Sequence, residues 1–408
     1  MSKKLVGACV FGQSGGPTSV INASAYGVIR TALDTPEITK VYGAAHGVVG
    51  ILEDTLYDMG QEDASELELL LNTPSSALGS CRYKIGEKDL ERILEIFKKY
   101  DIRYFFYNGG NDSMDTCNKV SAYMEKVGYE CRVMGVPKTI DNDLYGTDHC
   151  PGYGSAAKYI ATSFAEIYKD ATVYDRGMVV VVEVMGRHAG WLTGAAALAG
   201  LSDAAPDLIY LPEIPFDMDT FLSDVEEVYN KKQNCIVAFS EGISYADGSL
   251  VAQSETSETD GFGHAQLGGL AAKLAQEAKK RTGAKVRGIE LSLLQRCAAH
   301  LASQTDIDEA FLAGKSAVLH AVEGGTGKMV AFTRETKDGK YHCGITYKPL
   351  SATANVENKL PREWINERGN YVTQDFIDYA LPLIQGENTR KIENGLPRFC
   401  KLKKVKAK

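Results

Sequence analysis

The sequence lacks the features that are typical of a membrane protein or a nucleic-acid-binding protein. None of its apolar stretches approaches the ~20 residues that a membrane-spanning helix needs. The formal net charge is -8, which argues against nucleic acid as the main partner, although local basic patches can still bind small phosphates. We therefore expect no membrane partner and no nucleic-acid partner, and the charge balance alone identifies no ligand.

The nine cysteines are scattered, and they form neither a CxxC pair nor a zinc-like spacing. An odd, dispersed set in a long chain is typical of reduced core thiols rather than of a disulfide framework. The N-terminal residues MSKKLVGACVFGQ enter a strand-like run at once, without the apolar region of a signal peptide. Both observations predict a cytoplasmic protein.

Short apolar runs alternate with helical patterns along the 408 residues, which are enough for two or three domains. Amphipathic helices are predicted at 63–73 and 87–100, where leucine and isoleucine recur every three or four residues. The apolar runs are LVGACVF (5–11), YFFYN (104–108), CRVMGVP (131–137), MVVVVEVMG (178–186) and CIVAFSEG (235–242). Because these runs are apolar on both faces, they are typical of parallel strands covered by helices, and a doubly wound α/β fold is predicted.

Each of these predicted strands ends in a glycine-rich or polar loop. The loops read GQSGGPTS, GGNDS, PKTIDND, MGRHAG and SEGIS in chain order. Ligands of open parallel sheets bind beyond the carboxyl ends of the strands. Five such loops at five strand ends therefore predict one shared cleft.

The first two loops have glycines that suit an anion. Gly15 and Gly16 would let the backbone approach a phosphate, and a helix beginning near Thr18 or Ser19 would direct N–H groups at it. The Walker lysine spacing is absent, which excludes a P-loop. Glycines also serve tight turns for steric reasons, and residues 111–113 suit helix capping, so phosphate binding and a structural role both stay open at this point.

The third loop combines Lys138, Thr139, Asp141 and Asp143 within seven residues. One carboxylate could accept a proton from an attacking hydroxyl, and a second could hold Mg²⁺. The lysine could neutralise a phosphoryl group as charge develops. Aspartate and asparagine are also common in turns. The combination at the end of a buried strand favours catalysis.

Further charged residues follow the remaining strands or lie in later loops. Arg187, Arg82 and Arg296 could each bind a phosphate, Glu241 could accept hydroxyl groups of a sugar, and His188 suits a structural or an acid–base role. A single surface arginine is more commonly solvated or salt-bridged. Several cations at glycine-rich strand ends of an acidic protein predict an anionic substrate.

Taken together, these loops resemble the phosphofructokinase family. The motifs SGG (14–16), GGNDS (109–113), TIDND (139–143), MGR (185–187), SEG (240–242) and QR (295–296) occur in the family's order and approximate spacing, over roughly residues 4–330. The resemblance implies two doubly wound, Rossmann-like domains with the active site in the cleft between them. It assigns residues 1–145 to the phosphoryl donor and 146–330 to the sugar phosphate, with the chain crossing back between the domains. The rest, 331–408, would be a C-terminal extension with a mobile basic tail.

The resemblance also implies a role for each motif residue in phosphoryl transfer to the 1-hydroxyl of fructose 6-phosphate. Asp141 would be the base that deprotonates this hydroxyl, with Lys138 and Asp112 acting on the phosphates. The residues that would bind the sugar phosphate are Thr139, Asp141, Met185, Gly186, Arg187, Glu241 and Arg296. The residues that would bind the donor are Gly15, Gly16, Arg82, Gly110 and Ser113, and Asn111 and Asp143 would hold Mg²⁺.

Asp112 and Lys138 bear on the identity of the donor. ATP-dependent members of the family have glycine at both positions, and both exchanges resemble the pyrophosphate-dependent branch. A carboxylate a few ångströms from the α-phosphate of a nucleotide would repel it by roughly 4 kcal/mol at an effective dielectric constant of 20. We therefore expect pyrophosphate as donor and a reversible reaction of glycolysis and gluconeogenesis. An ATP-dependent or mixed-donor kinase and a non-catalytic regulatory subunit stay open as alternatives, as does sedoheptulose 7-phosphate as a further acceptor.

The chain departs from the family's pattern at several positions. Asn111 stands where the family commonly has a metal-binding acid, which weakens the expected metal site. Cys297 and Ala298 replace the expected glycine pair, and Met178 stands where bacterial ATP-dependent members have an arginine that reaches the neighbouring subunit. Sites of the family often form between subunits, so a homodimer or homotetramer is expected. The polar, glycine-rich stretch 244–269 is predicted to be a long loop or lid.

Overall fold

The structure is a computed structural model that describes residues 4–252 and 269–408. Most of the predicted lid, residues 253–268, lies outside the described residues. Among the described residues, no helix is long and apolar enough to cross a membrane.

The described strands are numbered in chain order. They are β1 (Gly7–Gln13), β2 (Ile38–Ala44), β3 (Leu56–Asp58), β4 (Ile102–Gly109), β5 (Arg132–Pro137), β6 (Met178–Val184), β7 (Leu208–Tyr210), β8 (Cys235–Ser240), β9 (Lys285–Glu290), β10 (Lys328–Lys337), β11 (Lys340–Pro349), β12 (Ile392–Glu393) and β13 (Leu396–Pro397).

The α-helices among the described residues are numbered in the same way. They are α1 (Ile21–Leu33), α2 (Val48–Leu52), α3 (Ala64–Glu68), α4 (Glu87–Lys99), α5 (Asn111–Lys126), α6 (Tyr153–Ala171), α7 (Trp191–Gly194), α8 (Met218–Lys232), α9 (Leu270–Thr282), α10 (Leu294–Cys297), α11 (Gln304–Val322), α12 (Leu350–Thr353) and α13 (Gln374–Ala380).

Two largely parallel sheets form the framework, which confirms the predicted α/β class. The first has the order β11-β10-β5-β4-β1-β2-β3, in which the core strands are parallel and the two edge strands antiparallel. The second has the order β7-β8-β6-β9 and is parallel throughout. All five apolar runs identified in the sequence lie in these sheets.

Burial explains why these segments are strands. Every residue of β1, β6 and β8 is buried, so the runs are apolar on both faces because helices cover both faces. The helix predicted at 87–100 is α4, which buries Ile93, Ile96 and Phe97. The helix predicted at 63–73 divides into α3 and a 3-10 helix at Leu69–Asn72.

The chain returns to the first sheet after completing the second. Strand β10 pairs with β5, with Lys328 opposite Met134, and β11 pairs with β10. The predicted boundary at residue 330 therefore falls inside β10, a strand of the first sheet. Part of the predicted C-terminal extension thus belongs to the first sheet.

The C-terminal tail, predicted to be mobile, lies against the first domain in the structure. The backbone N–H of Lys401 donates to Glu66 at 2.7 Å, and Lys403 Nζ lies 2.6 Å from Asp63 Oδ1. Lys406 also forms an antiparallel bridge with Tyr57 of β3. The basic tail follows an acidic surface, so its charges and its N–H groups find carboxylate acceptors.

Candidate active site

The carboxyl ends of the parallel strands bring the predicted loops together. Gln13 at the end of β1 is in register with Asn108 of β4, which is in register with Val136 of β5. In the second sheet, Val184 of β6 is in register with Ser240 of β8. The loops that follow these strands therefore meet in two groups, one from each sheet.

These loops enclose a cavity of about 360 Å³. One side is formed by the loops after β1, β4 and β5, and the other by the loops after β6 and β8. The residues that line it are Gly15, Gly16, Pro17, Arg82, Gly110, Asn111, Asp112, Ser113, Lys138, Thr139, Ile140, Asp141, Asp143, Met185, Arg187, His188, Ala189, Glu241, Arg296 and Glu357. Cations and carboxylates share this lining, as a site for phosphates and a divalent cation requires.

The lining includes every residue that the sequence proposed for the site except Gly186. Gly186 lies directly behind the lining, where its N–H donates to Glu241 Oε1 at 3.3 Å and its carbonyl accepts from the Ser240 hydroxyl. Its φ of +129° is one that side chains rarely adopt. The predicted residues are thus brought together, and their individual roles stay predictions.

The first glycine loop makes a close backbone turn around the cavity. Gly15 has a φ of +76°, and its N–H donates to the carbonyl of Cys81 at 3.0 Å. The helix expected to begin near Thr18 or Ser19 begins only at Ile21, so that prediction is wrong by two to three residues. Residues 14–20 instead form a longer loop, and its backbone, rather than a helix N-terminus, faces the cavity.

The second glycine loop leads directly into helix α5. Gly110 precedes the helix, and Asn111, Asp112 and Ser113 form its first turn. A side chain at Gly109 would collide with Ser113 Oγ, because an added Cβ would lie 2.0 Å from it. Unlike α1, this helix begins at the cavity, because the residues of its first turn line it, and a helix N-terminus is suited to an anion.

Lys138 is the most buried cation of the cavity, with 3% of its surface exposed. Its Nζ donates to the carbonyl of Gly16 at 2.6 Å, which connects the third loop to the first. Burial lowers the pKa of Lys138 to about 8, although Asp141 raises it by their attraction. The ammonium group is thus weakly solvated and is suited to a multiply charged anion.

Asp141 and Asp143 lie on the same loop as Lys138 and are both deeply buried. Burial raises the pKa of Asp141, and the charges of Lys138, His188 and other nearby cations oppose this rise. Burial and the charge of Asp141 together raise the pKa of Asp143 to about 7. Two carboxylates that repel each other here are suited to different tasks, with one taking a proton and the other binding a cation.

Asn142 separates the two aspartates and shapes the turn between them. It has a φ of +58°, which asparagine tolerates better than most residues. Its side chain is buried and donates to the Tyr379 hydroxyl at 2.7 Å and accepts from the N–H of Cys150 at 2.8 Å. The C-terminal helix α13 thus holds the loop of Asp141 and Asp143 in place.

Asn111 and Asp143 have the donor atoms that a magnesium ion prefers. Asn111 Nδ2 lies 3.5 Å from Asp143 Oδ2, while the buried Asn111 Oδ1 has no hydrogen-bond partner among the described residues. Buried amide oxygens are seldom left unpaired. An oxygen-binding cation would satisfy this atom and also relieve the repulsion that raises the pKa of Asp143, so the residues fit Mg²⁺.

Asp112 faces the cavity next to an exposed lysine. Its carboxylate lies 3.4 Å from Lys84 Nζ, and the Lys84 side chain is 56% exposed. The sequence prediction did not include Lys84. In the sequence, only its position two residues after Arg82 could have indicated a role at the site. Its contact with Asp112 depends on how the loop before α4 folds.

On the opposite side of the cavity, β6 and β8 present the loops that contain Met185, Arg187 and Glu241. The N–H of Met185 donates to Gln295 Oε1 at 3.1 Å, so the neighbour of Arg296 holds the MGR loop. Burial and the charge of Asp141 raise the pKa of Glu241. This side offers cations for a phosphate and a carboxylate for hydroxyl groups.

Sequence reasoning missed one further lining residue, Glu357. It lies in the C-terminal segment, for which the sequence predicted no function, and its Oε1 is 2.5 Å from Nδ1 of His188. His188 was noted at the end of its strand without a site assignment. Contacts across such sequence distances leave no local pattern.

This chain is similar in sequence and in fold to known proteins. The family model for phosphofructokinase matches residues 9–320. Two relatives named pyrophosphate–fructose 6-phosphate 1-phosphotransferase, from Halomonas elongata and Methylococcus capsulatus, are 46% and 45% identical over 403 residues. The matches cover 97% and 96% of this chain and 96% and 95% of the relatives. The crystal structure of a pyrophosphate-dependent phosphofructokinase from Nitrosospira multiformis matches with a TM-score of 0.90 at 40% identity, covering 98% of both chains.

Proposed function

The chain belongs to the phosphofructokinase family, and we propose that it reversibly transfers a phosphoryl group from pyrophosphate to the 1-hydroxyl of fructose 6-phosphate. The products are fructose 1,6-bisphosphate and phosphate. The single observation that carries the choice of donor is the presence of both Asp112 and Lys138 in the cavity lining. The carboxylate of Asp112 occupies the space that the α-phosphate of a nucleotide would need, and it repels the charge of that phosphate. The buried ammonium group of Lys138 is suited to pyrophosphate.

The proposed reaction begins with the sugar phosphate on the side formed by β6 and β8. Arg187 and Arg296 bind its phosphate, and Glu241 accepts hydroxyl hydrogen bonds. Asp141 then takes the proton of the 1-hydroxyl as the oxygen attacks the phosphoryl group. Because such transfers need little covalent help, the positions of these groups and their charges account for most of the rate.

The donor is proposed to lie between the two glycine loops. Backbone N–H groups at the start of α5 and the Lys138 ammonium stabilise charge on the leaving phosphate. We propose Asn111 and Asp143 as magnesium ligands, supported by the unpaired Asn111 Oδ1 and the raised pKa of Asp143. When bound, the cation would neutralise charge on the transferred group.

An aldolase-coupled assay with Mg²⁺ and fructose 6-phosphate tests the proposal directly. We expect turnover with pyrophosphate and none with ATP. Turnover with ATP alone would contradict the role of Asp112 and Lys138 but retain the family chemistry. Failure with every donor would favour a regulatory subunit.

The variant Asp141→Asn tests the base in the same assay. We expect kcat to fall at least about a hundredfold, since general-base catalysis contributes that much or more, while sugar phosphate binding measured by calorimetry is retained. Asp115→Asn, on the outer part of α5 and outside the lining, is the matched control. A wild-type rate for Asp141→Asn would refute the assignment.

We also propose that the protein is cytoplasmic and assembles into a homodimer or homotetramer. Nine free cysteines support a reducing compartment. Leu293 and Leu294 are both more than half exposed beside Arg296, and an apolar surface next to the sugar side supports a subunit contact there. Light scattering of the purified protein tests the assembly, and a monomeric mass would contradict it.

A further inference from the structure

A short segment of the C-terminal region, residues 356–360, connects the loops on the two sides of the cavity. We refer to it as the strap. On the side of the first sheet, Glu357 forms an antiparallel bridge with Leu144, and the N–H of Asn358 donates to the carbonyl of Asp143 at 2.8 Å. The strap thus binds the backbone of the loop that follows β5 and contains the proposed base.

On the side of the second sheet, the strap binds residues that follow the MGR loop. The Nε1–H of Trp191, at the start of α7, donates to the carbonyl of Asn358 at 2.8 Å. Trp191 is buried, so this hydrogen bond is shielded from water. Asn358 therefore bonds to both sides at once, through its N–H to Asp143 and through its carbonyl to Trp191.

A single carboxylate, that of Glu213, also holds the strap on the side of the second sheet. Its Oε1 accepts from the N–H groups of Gly190 and Leu360, at 2.8 and 3.0 Å. A side chain at Gly190 would collide with this carboxylate, because an added Cβ would lie 2.7 Å from Glu213 Oε2. Burial raises the pKa of Glu213, and the two N–H groups oppose this rise. Because a buried carboxylate needs such partners, Glu213 connects the strap firmly to the residue before α7.

The strap and Glu213 join segments that belong to different sheets. Asp143 lines the cavity on one side, and Gly190 directly follows Ala189, which lines it on the other. The hydrogen bonds within either sheet do not determine how far apart these two sides lie. Transfer between bound groups requires reacting atoms about 3–3.5 Å apart. A connection across the two sides therefore bears on the distance over which a phosphoryl group would move.

We infer that Glu213 is a positioning residue for phosphoryl transfer: by holding the strap, it keeps the loop of Asp141 at the working distance from the loops that bind the sugar phosphate. This role rests on the proposed function. It assigns a task to the strap, a part of the chain for which the sequence predicted no function.

The first test compares turnover with the binding of each substrate alone in Glu213→Ala. We expect kcat to fall about tenfold, because the reacting atoms no longer start at the distance of attack. Each side of the cavity keeps its own ligands, so the dissociation constants should stay within about twofold of the wild-type values. Calorimetry with fructose 6-phosphate alone, and with magnesium pyrophosphate alone, measures them.

A conservative variant and a matched control separate positioning from stability. Glu213→Gln keeps an acceptor oxygen for the two N–H groups and should keep most of the wild-type kcat. Asp224 is a buried acid outside the cavity lining that accepts from Tyr210 and Asn370. Asp224→Ala should lower the melting temperature, as Glu213→Ala does, but leave kcat unchanged.

The second test needs no turnover. The N–H groups of Asn358 and Leu360 are both hydrogen-bonded, so they should exchange slowly with solvent deuterium in the free protein. In Glu213→Ala both should exchange at least about tenfold faster, because the strap is released at one end. Mass spectrometry of peptides that cover the strap measures the exchange, and Asp224→Ala should leave it unchanged.

Trp191→Phe releases the strap by an independent route. The variant loses the Nε1–H that donates to Asn358 but keeps an aromatic ring beside Tyr379. It should lower kcat while the two affinities are retained. Trp364→Phe is the matched control, since Trp364 packs against Trp191 at 5.9 Å between ring centroids but, among the described residues, donates no side-chain hydrogen bond to the strap.

The outcomes separate the two proposals. Wild-type enzyme that does not turn over with pyrophosphate would refute the proposed function, whatever the exchange of the strap. Turnover with pyrophosphate, combined with a wild-type kcat in Glu213→Ala or in Trp191→Phe, would refute the positioning role alone. A loss of kcat in Asp224→Ala as large as that in Glu213→Ala would also refute it. If Glu213→Ala does not fold, Trp191→Phe decides the question.

Discussion

At the scale of single residues, the end of the cavity proposed for the donor combines one carboxylate with one buried ammonium group. Lys138 is held against the carbonyl of Gly16, whereas Asp112 opens the helix on the other side and contacts exposed Lys84. The two residues differ in burial, so salt screens their charges to different extents. Buried charges are screened far less than exposed ones.

The lowered pKa of Lys138 predicts an alkaline limit to donor binding. Because the pKa of Lys138 is about 8 in the free protein, its charge is lost as the pH rises through this value. We expect kcat/KM for pyrophosphate to fall about tenfold per pH unit above this limit. Steady-state rates between pH 6.5 and 9.5 measure the effect.

Lys138→Arg provides the comparison, since a guanidinium group stays charged over this range. In this variant the alkaline limb, which is the decrease in kcat/KM for pyrophosphate at high pH, should disappear, even if the rate is lower at every pH. Lys119→Arg, an exposed position of α5 paired with Asp115, is the control and should retain the limb. An unchanged limb in Lys138→Arg would assign the titration to another group.

Asp112 predicts the exclusion of nucleotides. Asp112→Gly should make ATP binding measurable by calorimetry, because the repulsion of its α-phosphate is removed. Asp112→Asn keeps the volume and removes the charge, so the two variants separate charge from space. Combination with Lys138→Gly need not be additive, since both residues act on the same phosphates. Absence of ATP binding in all three variants would contradict this explanation.

The sequence was sufficient to identify most residues of the cavity, because strand ends, glycines and charged motifs are local patterns. It could not identify Lys84 or Glu357 as partners of Asp112 and His188. Those contacts depend on loop conformations and on a segment more than 150 positions away. Side chains that belong to no sequence motif can be recognised as part of the site only from the folded structure.

At the scale of elements, the loop that contains the proposed base Asp141 is a turn whose geometry depends on Asn142. Its left-handed backbone and its two side-chain hydrogen bonds set the directions of the aspartates before and after it. The loop is therefore held from the C-terminal helix α13 as well as from β5. Helix α13 is remote in sequence but close in space.

Replacing Asn142 should impair the reaction more than binding. Asn142→Gly keeps the backbone conformation accessible but removes the bonds to Tyr379 and Cys150, each worth about 1 kcal/mol. We expect kcat to fall about tenfold with little change in sugar phosphate affinity, since a small misplacement of a catalytic group has effects of this order. Coupled assays and calorimetry measure the two quantities.

Asn142→Ala is the matched variant, because alanine also loses the hydrogen bonds but tolerates a positive φ less well, by about 1 kcal/mol. It should melt at a lower temperature than Asn142→Gly. A wild-type kcat for both variants would show that the turn does not depend on this side chain.

Element boundaries were predicted less well than element types. The first helix begins at Ile21, because residues 14–20 turn over the cavity instead of continuing into a helix. The periodic pattern at 63–73 predicted one helix, whereas the structure tightens into a 3-10 turn after Glu68. Hydrophobic spacing determines which face is buried, but loop contacts determine where a helix ends.

At the scale of the whole molecule, the returning strands are joined to the first domain through a buried histidine. Both ring nitrogens of His149 have carboxylate partners, Asp148 at 2.8 Å and Glu309 at 2.6 Å. Arg334 of β10 contacts Asp148, and Tyr341 of β11 donates to Glu309. Although Cys343 lies within 4.8 Å of this cluster, the ring has no nitrogen left for a metal, and we assign it a structural role.

This cluster predicts a loss of stability at alkaline pH. Burial alone would lower the pKa of His149, but Glu309 and Asp148 outweigh it and raise the pKa to about 9. The folded value lies above the unfolded value of about 6.5, so the stabilisation is complete below about pH 6.5 and is lost as the pH rises through about 9. Urea unfolding midpoints across this range measure it.

His149→Gln should remove this pH dependence and reduce the free energy of unfolding by about 3 kcal/mol at pH 6.5, since it breaks a buried ion pair. Exposed His342→Gln should keep the wild-type profile. Equal slopes in wild type and His149→Gln would show that His149 does not titrate with unfolding.

The sequence predicted the order of the domains only in part, just as it predicted only part of the contacts. The apolar runs predict a doubly wound α/β fold, and the family resemblance implies two such domains and a chain that crosses back between them. The sequence does not predict where the chain returns to the first sheet, because β10 and β11 have partly exposed, polar residues rather than a fully apolar run. Such strands can be assigned to a sheet only when the sheet edge with which they pair is known.

The late return of β10 has a consequence for the nascent chain on the ribosome. Strand β5 is complete at Pro137, but its partner edge is filled only when β10 emerges, after residues 138–327 have been translated. At about 5–20 residues per second, this edge stays open for about ten to forty seconds. The second sheet, β6 to β9, is synthesised within this interval, so all of its strands are available before the first sheet is complete. Until then the first sheet presents an unpaired edge, and a chaperone that covers such edges would improve the yield of the protein most during this interval.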